Sequence, residues 1–170
     1  MGVLFDYFRA PDGESALRML DDGEGVPQGP TTVREDVDAI DAKGIDPDVI
    51  LGQLLGFILD VPWSVDLVDG VNVWPPQETA PASVEEFERL PEDSPWQTGP
   101  WLSELKASVR DALADVDESA LPAIAERWTR IEEFSGHMDV VHARELIDDF
   151  VALARRARQA GDRLYCWCCL

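Results

Sequence analysis

The side chains best suited by type to chemistry are Cys166, Cys168 and Cys169, crowded into four positions, and the histidines His137 and His142. Zinc or copper takes thiolate and imidazole ligands, yet structural zinc favours Cys pairs spaced two to four residues apart in loops. Here Cys166 and Cys168 alternate along an apolar run, where both side chains face one way. The step from His137 to His142 misses the three- or four-residue spacing that puts two ligands on one helical face. A small buried thiol packs much as alanine or valine does, so the cysteines are read as core, and no metal or cofactor is implied. Ser135, His137 and Asp139 hold the residue types of a hydrolytic triad, but no Gly-x-Ser-x-Gly turn frames the serine.

Carboxylates are abundant between Glu35 and Asp48, where Glu35, Asp36, Asp38, Asp41, Asp46 and Asp48 crowd one segment. A calcium loop counted from Asp36 would need an oxygen ligand at its fifth position and glycine at its sixth, and the chain has Ile40 and Asp41 there. The segment reads as a solvated acidic face, and Glu35, Asp36, Asp38 and Asp41 are its candidate partner-binding residues. Trp74, Trp96 and Trp101 lie in or beside a run with prolines at 75, 76, 81, 91, 95 and 100. Tryptophans so placed either line a recognition surface or pin an irregular loop to the core, and both readings stay open. No glycine-rich phosphate loop is present. Gly52 and Gly56 sit four apart in a helical pattern, where they allow close packing.

The elements that must position these residues follow from size and patterning. A 170-residue chain with 45% apolar residues can bury a core without a disulfide or metal. Its net charge of -20 is uneven: residues 1 to 100 carry 5 basic and 21 acidic side chains, residues 101 to 170 carry 9 and 13. Such a field repels phosphate backbones and anionic membranes and attracts basic proteins and cations, so the expected partner is a basic protein, with no nucleic acid and no membrane. The start of the chain has no basic signal region and no apolar run is long enough to span a bilayer, so a cytoplasmic location is expected.

Val3, Phe5 and Tyr7 alternate with Leu4, Asp6 and Phe8, which predicts a strand apolar on both faces. Asp12 caps a helix to about Leu20, Gly23 to Thr32 is a loop, and Asp46-Pro47 starts a helix that ends near Asp60. Ser64 to Val68 and Val71 to Trp74, joined by Asp69-Gly70, read as a hairpin. Residues 75-100 read as an irregular Pro-rich loop holding one short helix capped by Ser83. Two apolar stripes follow, Leu102 to Val116 and Leu121 to Phe134, and then an amphipathic helix from about Val140 to Ala160. Arg155, Arg156 and Arg158 complement the negative end of that helix before Gly161 stops it and Leu164 to Cys169 extends as a strand.

Several stretches resemble the YfbM-like family of small, mostly bacterial proteins of unknown function. They are Met1-Gly2 opening a strand that ends Asp6-Tyr7-Phe8-Arg9, Asp41-Ala42-Lys43 before a Leu-rich helix, Val109 to Leu113, and Phe150 to Gly161 feeding a terminal apolar strand. The resemblance implies an α+β domain with strands from both chain ends in one sheet, and it supplies no activity and no site residues. Together these observations predict a single α+β domain over residues 1-170, with a mixed sheet that includes the N- and C-terminal strands and four to five helices packed on it. The leading functional expectation is a non-catalytic binding or regulatory protein, an immunity- or antitoxin-like partner of a basic protein. The alternative is a small-molecule binder or hydrolase-type enzyme with a pocket under the 75-100 loop.

Overall fold

The alternation that opens the chain becomes strand β1, Leu4–Ala10, whose two faces are apolar because both are covered. The computed structural model describes residues 2–21, 23, 25–30 and 36–170. Met1, Thr32 and Glu35, named above, lie outside the described residues. Ala39–Asp41 (β2), Val71–Trp74 (β3), Trp101–Glu104 (β4) and Arg163–Cys169 (β5) complete a five-stranded sheet of order β2-β1-β5-β4-β3. The first and last strands pair over their whole length, from Leu4 opposite Cys169 to Ala10 opposite Arg163. Every pairing is antiparallel, so the α+β fold is built on a uniform sheet and not on a mixed one.

Among the described residues there are seven α-helices: α1 (Gly13–Leu20), α2 (Gly52–Leu59), α3 (Val84–Glu88), α4 (Pro95–Thr98), α5 (Ala107–Asp115), α6 (Leu121–Trp128) and α7 (Val140–Ala160). The excess over four to five lies in α3 and α4, both within the 75-100 segment. A π-helical turn, Pro47–Leu51, leads into α2, with the Asp46 carboxylate accepting from the Val49 amide at 2.7 Å. Gly52 and Gly56 let the chain beyond α2 fold back on it. A Cβ at Gly52 would lie 2.8 Å from the Trp63 indole nitrogen, and one at Gly56 would lie 3.0 Å from the Val61 carbonyl oxygen.

Helix α7 starts where the Asp139 side chain accepts from the His142 amide and stops at Gly161, whose φ of 77° is the left-handed conformation that glycine adopts at least cost. Its stripe of Ala143, Ile147, Phe150, Ala154 and Ala157 is buried against one face of the sheet. There the Phe150 ring stands edge-on to Tyr7 at 4.9 Å, and the Tyr7 hydroxyl donates to the Ile45 carbonyl at 2.7 Å. α2, α5 and α6 extend this core around Trp128, whose indole N–H donates to Ile50 O at 3.0 Å. Across the sheet, Ala16 and Leu20 of α1 cover Phe8, Leu102, Tyr165 and Trp167. The Trp167 indole N–H donates to Pro27 O at 3.0 Å and holds the loop after α1 over that face.

The arginines at the end of α7 do more than offset its dipole. Arg155 donates to the Ala114 and Val116 carbonyls and to Glu118, Arg156 grips Asp38, and Arg158 pairs with Asp115. The expected 64-to-74 hairpin is half present. Val65–Leu67 is a 3-10 turn, and β3 takes β4 as its partner. β4 itself falls inside the stripe read as helix from Leu102, and α5 begins only at Ala107. The reason is backbone pairing: β5 has two sides to satisfy in a buried sheet, and residues 101–104 pair with it through Trp101 to Glu104 opposite Cys168 to Tyr165. The 75-100 segment closes on itself. The Glu86 amide donates to the Ser83 hydroxyl, the Ala82 amide to the Glu86 carboxylate, and the Trp96 indole to the Thr79 hydroxyl.

Deleting Leu164–Leu170 removes the middle of this sheet and leaves β2-β1 and β4-β3 as separate ribbons, each marginal alone. The truncated chain should lose its cooperative thermal transition by circular dichroism, and an unchanged melt would contradict the topology.

Candidate functional site

Of the acidic residues that the sequence offers as a partner surface, Asp38 is tied into the fold by two arginines and Asp41 is exposed. Asp36 and Asp38 border a cleft of about 160 Å³ with Arg9 and Asp162, and Glu35 lies outside the described residues. Asp38 accepts from Arg156 at 2.8 Å on each carboxylate oxygen and from Arg9 Nε at 2.6 Å. Arg9 also donates to Asp162 at 2.6 Å, and Arg110 reaches the Asp162 carbonyl at 2.9 Å. The Arg156 and Arg9 bonds outweigh desolvation and draw the Asp38 pKa down to about 2. Asp41 accepts from the Lys43 amide at 3.1 Å. Asp48 is shifted the other way, upward, by burial and by the Asp46 and Asp69 carboxylates.

The three tryptophans do not converge. Trp74 pairs with Leu102 on the face covered by α1, whereas Trp101, next along β4, lies opposite Cys168 and on the other face. Trp96 sits in α4, bonded to Thr79. Trp74 lines a cleft of about 200 Å³ between α1 and Asp21, Gly25, Val26 and Pro27, with no residue of the 75-100 segment in its lining. Its indole N–H is buried and has no acceptor among the described residues. Trp96 and Trp101 line neither this cleft nor the one at Asp38.

Cys166 is buried opposite Tyr7, and burial raises both its thiol pKa and the tyrosine's well above their ordinary values. Desolvation, then the neighbouring Cys169 and Asp46, pushes Cys168 up to about 11. All three thiols are free. Among the described residues, no three Cys, His, Asp or Glu side chains gather as metal ligands. Ser135 and Asp139 are committed elsewhere, the serine hydroxyl to the Glu132 carbonyl and the aspartate to the start of α7.

One feature that sequence reasoning missed is a groove of about 750 Å³ bounded by α2, α5 and α6. α5 and α6 each pack on α2 and α7 but scarcely touch one another, so a slot stays open between them. Phe57, Ile58, Ala112, Val116 and Ile124 supply its apolar floor, and Asp60, Asp111, Asp115 and Asp117 stand at its edge. One cation, Arg127, also borders it and lies 4.5 Å over the Phe57 ring. A signal for the groove does exist in the sequence: Ala112, Ala120 and Ala123 put small side chains where a larger one would close the slot.

No family model matches the chain, and neither a curated protein nor a solved structure matches it. Among the described residues, no helix is long and apolar enough to cross a membrane.

Two measurements check this geometry. Asp38 has a lowered folded pKa, so its contribution is fully present above about pH 4 and fades as pH falls towards 2; with the carboxylate partly exposed, it amounts to about 1–2 kcal/mol. Asp38→Asn should therefore destabilise the protein at neutral pH by about that amount and flatten acid denaturation between pH 4 and 2. An unaltered acid limb would show that the arginine contacts do not form. In thiol titration at pH 7, Cys166 should stay silent until denaturant is added, and three fast-reacting thiols in the native protein would contradict its burial.

Proposed function

We propose that this chain is a non-catalytic binding protein whose partner is a basic protein, in the manner of an immunity protein or antitoxin. The observation that carries the reading is the disposition of charge. Lys106, Arg110, Arg144, Arg155, Arg156, Arg158 and Arg163 each hold a carboxylate of the chain itself. The cations are thus largely spent inside the molecule, and the surplus carboxylates face outward. Asp60, Asp66, Glu85, Glu88, Glu92 and Asp93 are exposed, and no ion pair reaches them among the described residues. A surface of this sign speeds the approach of a basic protein and rejects acidic competitors.

Chemistry has less support. The carboxylate drawn furthest down, Asp38, is locked between two arginines, and the one pushed up, Asp48, lines none of the three cavities. A general acid–base pair needs two such groups facing one substrate space. The likeness to YfbM-like proteins brings a fold to this reading and no activity.

The full chain, immobilised and exposed to lysate at low ionic strength, should retain a discrete protein of net positive charge. That protein should elute as salt approaches 1 M, where screening acts within about 3 Å. Retention of no basic protein, or of one indifferent to salt, would overturn the proposal.

A further inference from the structure

We infer that the groove bounded by α2, α5 and α6 is the docking site, and that its occupant is a basic amphipathic helix of the partner. This rests on the proposed binding function and moves the contact face away from Asp38, whose charge is met by Arg9 and Arg156. Three helices surround an apolar slot whose long walls, α5 and α6, scarcely touch, and a ridge of apolar side chains at helical spacing fits such a slot. A strand would leave its backbone groups facing helix side chains without partners.

Charge selects the occupant's other face. Asp60, Asp111, Asp115 and Asp117 border the groove against the single guanidinium of Arg127. Asp111 and Asp115 each keep an arginine of this chain, and no ion pair reaches Asp60 or Asp117 among the described residues. Arginine or lysine flanking the apolar stripe of an incoming helix would meet these carboxylates at the rim, where they add rate and register more than affinity.

The apolar surface also runs on beyond the groove. Leu59, which lines it, opens a stretch of exposed large side chains: Leu59 48%, Val61 42%, Trp63 42% and Val65 59% exposed. Trp63 is fixed by its indole bond to the Asp48 carbonyl at 3.0 Å and by packing on Gly52. Trp63 does not line the groove, but an exposed aromatic so held, four residues along from Leu59, is the kind of anchor that dominates binding energy.

The test uses the full-length protein and fluorescein-labelled synthetic peptides, read by fluorescence anisotropy. The first peptide is a helix of about 14 residues, ~21 Å long, with leucines at i, i+3, i+4 and i+7 and arginines elsewhere. The second has the same composition in scrambled order. Three variants each add one positive charge: Ala123→Arg and Ser108→Arg at exposed positions within the groove, and Val84→Arg on α3 outside it. Unchanged thermal melts qualify each variant as folded. The inference expects the amphipathic peptide to bind, the scrambled one to bind about tenfold more weakly, and both groove variants to lose about tenfold while Val84→Arg does not. If both peptides bind alike and all three variants act alike, charge alone is at work; the groove is then overturned, and the basic-partner reading stands. If neither peptide binds, the groove is overturned again, and the lysate experiment decides the broader reading separately.

Discussion

The antiparallel ladder between β1 and β5 is the interaction on which the rest of this structure depends. It joins residues more than 150 positions apart, and every other strand attaches through it: β2 to β1 on one side, β4 and then β3 to β5 on the other. A strand in that position is buried on both faces, which is why Tyr7 and Cys166 belong to the core under α7 while Phe8 and Tyr165 belong to the one under α1. Slipping the register by one residue would exchange these sets and place Arg9 among the apolar side chains of the α1 face. The register is thus held by chemistry on both sides at once.

Around this ladder, the acidic composition is managed by a few well-placed arginines. Arg9 on β1 and Arg156 on α7 converge on Asp38, while Arg110 ties α5 to the carbonyl of Asp162, just before β5. These contacts knit the helix layer to the sheet and remove charge from the region where sequence crowding of aspartates looks most functional. Carboxylates that no ion pair reaches among the described residues lie elsewhere, Asp60 just past α2 and Asp117 just before α6 among them.

The legible parts of the fold were those specified locally. Helix α7 carries its cap at Asp139, an uninterrupted apolar stripe and a glycine stop, so its ends can be read directly. The pairing of the two terminal strands follows from each being apolar on both faces. β4 was not legible, because Leu102 and Leu105 match a helical spacing as well as a strand, and only the unsatisfied edge of β5 decides between them. The same competition dissolved the Asp69-Gly70 hairpin: residues 71–74 form a strand, but the neighbour with more to bury is β4. The site was harder still. The tryptophans cluster in sequence around a proline run, yet alternation along β4 and the bend of the 75-100 segment send Trp74 and Trp101 to opposite faces. The groove is assembled from the end of α2 and from α5 and α6, which come together only in the fold, and its sign in the sequence, three alanines, is the absence of bulk where bulk was not expected.

The place of β5 in the sheet also bears on how the protein is made. Synthesis delivers residues in order, and the strand that joins the two halves of the sheet follows the other four strands out of the ribosome. Until then the β2-β1 pair exposes Phe5, Tyr7 and Phe8 along an unpaired edge, and the β4-β3 pair exposes its own, a condition in which nascent chains associate wrongly. High net negative charge is a remedy well matched to that interval, since it keeps unfinished chains apart through repulsion. Repulsion from this charge acts on the newborn chain as well as on the folded one.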